Sequence, residues 1–366
     1  ALKQSQAFVD QMEGFALELE DELMNFSDVS YKSFVKSESE IITLFYDKFA
    51  DIPLLSRMDA VAETFIDEIE TLLNRDLPEE ERIPLIEKFR KMYETMDFYV
   101  LYNRFLKKEG YQTLPRRPLE KRKLRYEDVY PVLYLKYRLS RQAERSNIKH
   151  LVIDEMQDYS RLQYLIIRRI FSCKMTILGD RAQTMADQQQ DVLQFLPGIF
   201  GKDLRRIEMR KSYRNTVEIA SYAANLIGVT DLELFERHGM PVLERDVTDL
   251  EAALREAVDT LFPEEKTYET AAVIVPDEKT AERAYLILRE ILAEKDFDCE
   301  KRLSWLNRDS SSFKKGLTVT TFYLAKGLEF DQVFSIFPKD EKREMMMQAQ
   351  YIAATRALHE LRVYHI

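Results

Sequence analysis

Hydrophobic residues in the first hundred positions recur at spacings of three and four. The runs are Phe8, Met12, Phe15, Leu19, Leu23 and Phe26; then Val61, Phe65, Ile69 and Leu72; then Leu85, Phe89, Met92, Met96 and Tyr99. This spacing places apolar side chains on one face of an α-helix. Pro53, Pro78 and Pro84 are read as helix boundaries or first-turn residues. The pattern predicts a helical segment whose apolar faces pack against one another.

Beyond about residue 120, apolar runs of strand length alternate with helical patterns. The predicted strands are Leu151–Ile153, Met175–Leu178, Ala271–Val275, Leu317–Phe322 and Val333–Phe337. The predicted helices are Glu127–Arg145, Arg161–Phe171, Val217–Ile227, Asp249–Thr260, Thr280–Lys295 and Arg343–Leu358. Alternation of this kind is typical of an α/β domain with a parallel sheet.

The charge pattern changes sharply between the two regions. Nine Lys or Arg residues lie from Arg104 to Arg125, against only Glu109 and Glu120, and Pro115 and Pro118 favour a loop there. A domain boundary near residue 120 is therefore predicted. The basic run is either a solvated surface or a contact for nucleic acid, and the sequence leaves both open.

Composition excludes several classes of protein. The net charge of −10 argues against a protein that coats nucleic acid, although it leaves room for a local basic groove or for a positively charged protein partner. No apolar run is long enough for a membrane-spanning helix, so no membrane partner is expected. Cys173 and Cys299 form no disulfide framework or metal-ligand spacing. These features predict a cytoplasmic protein.

Two strand ends carry the most informative polar residues. The run Leu151–Ile153 ends in Asp154-Glu155, and the run Met175–Leu178 is followed by Gly179-Asp180 and, three residues later, Gln183. A carboxylate pair at the end of a buried strand is how P-loop ATPases place a Mg²⁺ ligand beside a water-orienting group. Together the two segments resemble motifs II (DExQD) and III (GDxxQ) of the UvrD/Rep-type helicases.

Three further segments resemble motifs IV, V and VI of the same helicases: residues 210–215, 320–330 and 351–357. The resemblance implies an α/β fold of two RecA-like P-loop NTPase domains, each a parallel sheet flanked by helices, preceded by an all-helical insertion domain. The expected division is an insertion domain at 1–122, the remainder of the first RecA-like domain at 123–206, and the second at 207–366.

The resemblance also implies a role for individual residues in binding ATP and Mg²⁺. Asp154 is expected to hold Mg²⁺, Glu155 to orient or deprotonate the attacking water, and Gln183 to contact the γ-phosphate. Arg214 and Arg356 are expected to reach the γ-phosphate from the second domain. The remaining nucleotide contacts are expected from Tyr213 on adenine, Glu329 on the ribose, and the Lys326-Gly327 turn. The alternative for Arg356 is a structural cap or ion pair; we expect instead an exposed side chain whose loss costs less than about 1 kcal/mol.

The phosphate-cradling motif G-x-x-x-x-G-K-[ST] does not occur in the 366 residues; only Gly201 precedes a lysine, and Asp203 follows it. We therefore expect a fragment that begins after the P-loop and is inactive alone, with a natural pseudo-ATPase as the rival explanation. Two positions depart from the family pattern along the DNA track, Ala186 in place of an aromatic residue and Tyr323 in place of histidine.

The motif forms at 153–160 and 323–331, with the long helical insertion, look most like HelD, a helicase IV-like branch of ATPases that bind RNA polymerase. That resemblance implies RNA polymerase as the partner, with DNA, single-stranded or in transcription complexes, as a further one. One alternative is a repair helicase that translocates on single-stranded DNA. Another is a non-catalytic interaction module.

Overall fold

The protein is described by a computed structural model that covers most of the chain. The described residues are 3, 5–141, 147–180, 183, 192–209, 211–229, 233–264, 267–295, 297–308, 310, 315–339 and 344–366. The chain forms two compact units, which we call unit 1 (Ala1–Gly179 with Gln190–Leu204) and unit 2 (Asp180–Gln189 with Arg205–Ile366). The division into domains at 1–122, 123–206 and 207–366 stays a prediction.

Unit 1 is mainly helical. Its helices are α1 (Gln6–Glu22), α2 (Glu38–Thr43), α3 (Leu54–Leu73), α4 (Glu79–Arg90), α5 (Phe98–Lys108), α6 (Tyr126–Leu139), α7 (Arg161–Ile170) and α8 (Val192–Phe200). A π-helical turn, Leu44–Lys48, and 3-10 turns at Leu119–Lys121, Met156–Asp158 and Gly201–Asp203 complete the helical structure described. One hydrophobic core joins residues of α1 and α3–α7, so the helices before and after the predicted boundary near residue 120 pack together.

The prediction of an all-helical first segment is wrong in one place. Two short strands, β1 (Val29–Tyr31) and β2 (Phe34–Lys36), form an antiparallel hairpin in which Val29 pairs with Lys36. The hairpin turns through Lys32, whose φ is 54°. A lysine is an unusual residue for this left-handed conformation, and the turn has none of the Asn-Gly or Gly signals by which hairpins are recognised.

The helical pattern also breaks where the spacing alone would continue it. The predicted stripe from Leu85 to Tyr99 spans two helices, because α4 ends at Arg90 and α5 begins at Phe98. Asp97 caps α5 by accepting a hydrogen bond from the backbone N–H of Tyr99. Pro84 lies inside α4 rather than at its boundary.

The second half of unit 1 contains a parallel pair of strands, β3 (His150–Ile153) and β4 (Lys174–Ile177). The predicted strands at 151–153 and 175–178 lie within one residue of these. Helix α7 connects the two strands, as expected of a parallel crossover. Ile153 packs with residues of α7 and α8 in a second, small core.

Unit 2 is built around a six-stranded parallel sheet in the order β7-β12-β11-β8-β10-β9. The strands are β7 (Leu243–Asp246), β8 (Thr270–Val275), β9 (Leu303–Trp305), β10 (Gly316–Thr321), β11 (Phe330–Phe337) and β12 (Ala357–His365). A separate short pair is formed by β5 (Lys211–Ser212) and β6 (Glu233–Leu234). The helices are α9 (Val217–Ile227), α10 (Leu250–Asp259), α11 (Glu278–Ala293), α12 (Cys299–Arg302) and α13 (Glu344–Ala354).

Helices cover both faces of the six-stranded sheet. Val273 and its alternate neighbours in β8 pack in a core with α10 and α11, whereas Ala272 and Ile274 pack in another core with α9 and α13. Since both faces are buried, the central strands are continuously apolar, which is why the sequence pattern predicts them. The predicted mixed α/β fold with a parallel sheet flanked by helices is confirmed.

The prediction for the last two elements of unit 2 is wrong in its boundaries. Helix α13 ends at Ala354 instead of Leu358, and residues 357 and 358 already belong to β12. That strand carries polar side chains such as Glu360 and Arg362 among its apolar ones, so the sequence shows no apolar run. Within the part of the chain that the structure covers, no helix is long and apolar enough to cross a membrane.

Candidate nucleotide-binding and hydrolytic site

The carboxylate pair lies in the turn after β3. Glu155 has a φ of 52°, which is rare for a residue other than glycine. Its backbone N–H donates to Asp154 Oδ1 at 2.8 Å, and Gln157 Nε2 donates to Glu155 Oε2 at 2.5 Å. Asp154 is exposed and Gln157 is buried. The turn therefore holds Glu155 from two sides while presenting Asp154 to solvent.

Glycine is required at position 179, where the end of β4 lies against the turn that follows β3. The Leu178 N–H donates to the Ile153 carbonyl, and the Met156 N–H donates to the Leu178 carbonyl, both at 2.8 Å. A Cβ at position 179 would overlap Met156 and Gln157. Only glycine fits this approach, because any side chain would push the turn carrying the carboxylates away from the end of β4.

A chain of hydrogen bonds in unit 2 links Asp180 and Gln183 to the segment 351–357. Gln183 Nε2 donates to Asp180 Oδ2 at 2.9 Å, and Tyr351 Oη donates to the same oxygen at 3.1 Å. Arg356 Nη2 donates to Gln183 Oε1 at 3.3 Å. Burial, and then the Asp180 charge, raise the pKa of the Tyr351 phenol. The phenol therefore stays protonated as a donor to Asp180.

The two neighbours of Gln183 determine the orientation of its amide. The Oδ2 atom of Asp180 accepts from the NH₂ end of the amide, and the Arg356 guanidinium, which can only donate, faces the oxygen. Both requirements are met by one orientation. Gln183 is 7% exposed and Arg356 is 1% exposed. A buried polar pair of this kind is strongly oriented, because few alternative partners are within reach.

Arg356 is not the exposed side chain that we expected. Its Nε donates to the Ile352 carbonyl at 3.3 Å and its Nη1 to the Leu328 carbonyl at 3.5 Å, and Nη2 also reaches Thr355 Oγ1 at 3.1 Å. The Ile352 carbonyl belongs to the last turn of α13. The guanidinium thus caps that helix, which is the structural alternative for Arg356, while also contacting Gln183.

Arg214 and Glu329 form an ion pair on the surface of unit 2. Arg214 Nε lies 2.7 Å from Glu329 Oε1, and both side chains are partly exposed. Glu329 follows a turn in which Lys326 is half-buried and Gly327 has a φ of 81°. A left-handed residue is needed at position 327 to bring the chain back into β11, so glycine serves a structural purpose there.

Tyr213, which precedes Arg214 in the sequence, forms an aromatic pair with Phe235. Its ring centroid lies 5.4 Å from that of Phe235, and Lys211 Nζ lies 5.5 Å from the Tyr213 centroid and 5.8 Å from the Phe235 centroid. Tyr213 is 59% exposed. One side of the ring is therefore supported and the rest is open for a planar ligand.

Sequence reasoning missed several residues of these networks. Phe235 has no motif around it, and Asp180 and Tyr351 lie within motifs that assign them no role. Asn215 was also missed; its Nδ2 donates to the Ala357 carbonyl at 2.6 Å and ties the segment after β5 to β12. Tyr351 and Asp180 are 171 positions apart, so no local pattern signals their contact.

Among the residues that the structure describes, no group of three His, Cys, Asp or Glu side chains could hold a metal ion. Asp154 alone is compatible with Mg²⁺ that takes its other ligands from phosphates and water, as this cation does in nucleotide sites. Arg210 and Ala186 lie outside the described residues, so the aromatic position missing from the GDxxQ segment has no structural description.

Residues 8–185 match a family model described as the UvrD/REP helicase N-terminal domain. This match supports the predicted resemblance of the chain to the UvrD-type helicase superfamily. It includes both the carboxylate pair and the Gly179-Asp180 segment. A comparison with curated proteins gave no match.

Three solved structures are similar to parts of the chain. The C-terminal domain of a possible DNA helicase from Lactobacillus plantarum WCFS1 is 24% identical, with 42% of this chain and 88% of that one covered and a TM-score of 0.33. Arterivirus nonstructural protein 10 (helicase) is 14% identical, with 73% and 50% covered and a TM-score of 0.33. The PRRSV helicase is 15% identical, with 73% and 45% covered and a TM-score of 0.33. The chain thus spans about half the length of the two viral proteins.

Proposed function

We propose that this chain is part of an ATP-dependent, UvrD-type helicase or translocase ATPase, in which it supplies the hydrolytic and γ-phosphate-sensing residues. The observation that supports this most directly is the hydrogen bond between Arg356 and Gln183. Two side chains assigned to the γ-phosphate independently, from motifs far apart in the sequence, contact each other within unit 2.

The proposed chemistry is positioning and electrostatic stabilisation of a transferring phosphoryl group. Asp154 holds Mg²⁺, which supplies charge neutralisation at the phosphates. Glu155 orients the attacking water, for which its constrained turn is suited. Gln183 contacts the water and the γ-phosphate. Arg356 is positioned at the same phosphate because it is hydrogen-bonded to Gln183. Arginine suits this position because its planar fork binds phosphate oxygens in pairs.

The nucleotide contacts proposed for unit 2 require one exchange of partners. Tyr213 stacks on adenine, with Phe235 supporting its ring, while Lys326 and Gly327 belong to the same nucleotide-binding surface. If Glu329 accepts a hydrogen bond from the ribose and Arg214 meets the γ-phosphate, their ion pair opens when ATP binds. Such a surface pair is worth no more than about 1 kcal/mol, so nucleotide contacts can replace it.

The phosphate cradle has to come from elsewhere. The 366 residues contain no P-loop motif, and Asp154 alone cannot retain Mg²⁺ and a triphosphate. We propose that these 366 residues alone neither hydrolyse ATP nor bind it tightly, and that hydrolysis occurs in a protein that joins them to a P-loop.

Within the superfamily we propose the HelD-like branch, with RNA polymerase as partner. The motif forms at 153–160 and 323–331 support this proposal, as does the net charge of −10, which suits a positively charged protein partner. The second candidate, a motor on single-stranded DNA, is favoured by the exposed cations between residues 116 and 123.

The decisive test replaces Glu155 by glutamine in the P-loop-containing protein. Phosphate release should fall by orders of magnitude, whereas the Kd for ATP should stay within about threefold, because the water-orienting group is lost and the phosphate cradle remains. The matched control is Glu290→Gln on the exposed face of α11, which should change neither quantity. Hydrolysis that survives Glu155→Gln would contradict the proposal.

A second experiment separates the branches. Affinity capture with the tagged protein should recover RNA polymerase if the HelD-like assignment is correct. Capture that recovers none, combined with salt-dependent binding of a single-stranded oligonucleotide, would instead support the DNA motor.

A further inference from the structure

Apart from Lys107, which is exposed on α5, the cations between Arg104 and Arg125 divide into two groups with different surroundings. Three of them have acidic partners: Arg104 Nη1 lies 2.9 Å from Glu94 Oε2, and Lys108 and Arg122 pair with acidic residues of the helical part of unit 1, Glu18 and Asp97. These three stabilise local structure. Their presence alone gives no reason to expect a ligand.

The second group projects from residues 115–125, which we call the basic loop. Arg116, Arg117, Lys121 and Lys123 are exposed, and among the described residues none of them forms an ion pair with a carboxylate. Arg125 lies at the end of the loop, 3.1 Å from Gln112 Oε1 and 4.0 Å from Glu127. Within the loop only Glu120 offsets these four positive charges in part, and the charges repel one another in the absence of a ligand.

The basic loop is nevertheless held firmly. Tyr99 Oη donates to the Pro115 carbonyl at 2.7 Å, and Arg122 Nε donates to the Arg117 carbonyl at 3.0 Å. The Arg122 guanidinium also lies over the Tyr99 ring, 4.7 Å from its centroid. The four exposed cations therefore extend from a backbone whose position is fixed, so binding a ligand costs little backbone entropy and mainly the rotamer entropy of the side chains.

Two large apolar side chains are exposed within and beside the same loop. Leu119 is 77% exposed, and Tyr126, the first residue of α6, is 78% exposed. The Tyr126 ring contacts Tyr130 edge to face, with centroids 6.3 Å apart. This contact supports one edge of the Tyr126 ring and leaves most of its surface in solvent.

We propose that the basic loop and Tyr126 form a binding site for single-stranded nucleic acid. Arg116, Arg117, Lys121 and Lys123 contact successive phosphates, and an unstacked base lies on Tyr126. Exposed cations followed along the chain by an exposed aromatic ring suit a single strand better than a duplex, whose bases are not available for stacking. The inference deepens the proposed function by assigning its nucleic-acid contact to unit 1, and it involves none of the ATP-binding residues.

The test measures binding of a fluorescein-labelled oligo(dT) of about 16 nucleotides to the 366-residue chain by fluorescence anisotropy, without nucleotide, over a series of salt concentrations. Four phosphate contacts predict a contribution of about −2.8 to the slope of log K against log salt concentration. The fourfold variant with Arg116, Arg117, Lys121 and Lys123 changed to glutamine should lose that contribution. The matched control changes Lys279, Arg283, Arg289 and Lys301, exposed cations of unit 2, and should retain it.

Tyr126→Ala separates stacking from charge. It should weaken binding about 5- to 150-fold with an unchanged salt slope, whereas Tyr126→Phe, which keeps a ring, should bind as the unchanged protein does. Repeating the series with oligo(U) distinguishes RNA from DNA as the source of the strand.

Three results would overturn the proposal. The first is equal loss of binding in the fourfold variant and its control, which would mean that only net charge matters. The second is no loss in either. The third is displacement of the oligonucleotide by polyglutamate at equal charge concentration, which would identify an acidic protein surface as the better partner. Because no ATP is present, failure here leaves the hydrolysis proposal standing, and failure of the Glu155→Gln test leaves this one standing.

Discussion

Replacing Arg356 by alanine should destabilise unit 2 measurably, in contrast to an exposed arginine. The guanidinium makes four hydrogen bonds of 3.1 to 3.5 Å, to Ile352, Leu328, Thr355 and Gln183. Their lengths place them at the weak end for a charged donor, about 0.5–1 kcal/mol each. The expected loss is therefore about 2–4 kcal/mol, or about 4–16 °C in Tm for a domain of this size.

The assay is thermal and urea unfolding followed by circular dichroism, with Arg255→Ala as the control. Arg255 lies exposed on α10 and pairs with Glu251 and Glu294, so its loss should cost less than about 1 kcal/mol. Arg356→Lys should recover at most about half of the stability, because an ammonium group cannot reach four acceptors in one plane. An Arg356→Ala cost below about 0.5 kcal/mol would refute the structural reasoning.

The same variants separate the structural from the catalytic role of Arg356 in the P-loop-containing protein. At a temperature where every variant is folded, Arg356→Ala and Arg356→Lys should both lower ATP hydrolysis, by about 10³–10⁵ if Arg356 acts as an arginine finger. The stability loss and the rate loss therefore differ in their response to lysine. If lysine restores stability and rate together, the catalytic assignment is wrong and Arg356 is only a helix cap.

Three further changes test other contacts. Gly179→Ala should lower the free energy of unfolding of unit 1 by about 1–3 kcal/mol in urea denaturation, since a methyl group would overlap the neighbouring turn; an unchanged midpoint would mean that the turns lie apart. Burial raises the pKa of Asp331, but hydrogen bonds from the backbone N–H groups of Glu269 and Thr270 and from the Thr270 hydroxyl outweigh it and hold that pKa below its usual value. Asp331→Asn should therefore cost about 1–3 kcal/mol at pH 7. This difference should begin to shrink near about pH 4, the ordinary pKa of the group, and be lost as the pH falls through the lowered pKa of folded Asp331; a difference that stays constant down to pH 3 would exclude the carboxylate as its source. Tyr351→Phe should lower kcat for ATP about tenfold at unchanged Kd, measured in the P-loop-containing protein, because Asp180 then orients Gln183 less firmly; a raised Kd with normal kcat would contradict a positioning role.

The sequence predicted the central elements because their burial leaves a clear signature. Strand β8 is apolar at nearly every position since helices cover both of its faces. Helix α9 was predicted with its observed bounds, because Thr216 caps its start and Gly228 adopts a left-handed φ of 68° at its end. Strand β12 was missed because its polar residues interrupt the apolar run, and the hairpin β1–β2 was missed because its turn lacks glycine.

The motifs singled out candidate site residues, whose roles stay predictions, but they did not predict the contacts between those residues. The motifs identified Gln183 and Arg356, but their hydrogen bond joins residues 173 positions apart. Long-range contacts depend on how the sheet is assembled, which local patterns do not encode. The burial of Arg356 was mispredicted together with the end of α13, which stops at Ala354, so that Arg356 lies in the turn before β12 instead of on a helix.

The strand order of unit 2 has a consequence for biosynthesis. Among the strands that the structure describes, the edge strand β7 is bonded only to β12, and β12 in turn joins it to β11. Since a ribosome makes residues 243–246 more than a hundred residues before 357–365, β7 has no partner during that interval. Synthesis proceeds at about 5–20 residues per second, so the edge stays unpaired for several seconds. During translation, this is the interval in which a chaperone would protect the nascent sheet from wrong pairing.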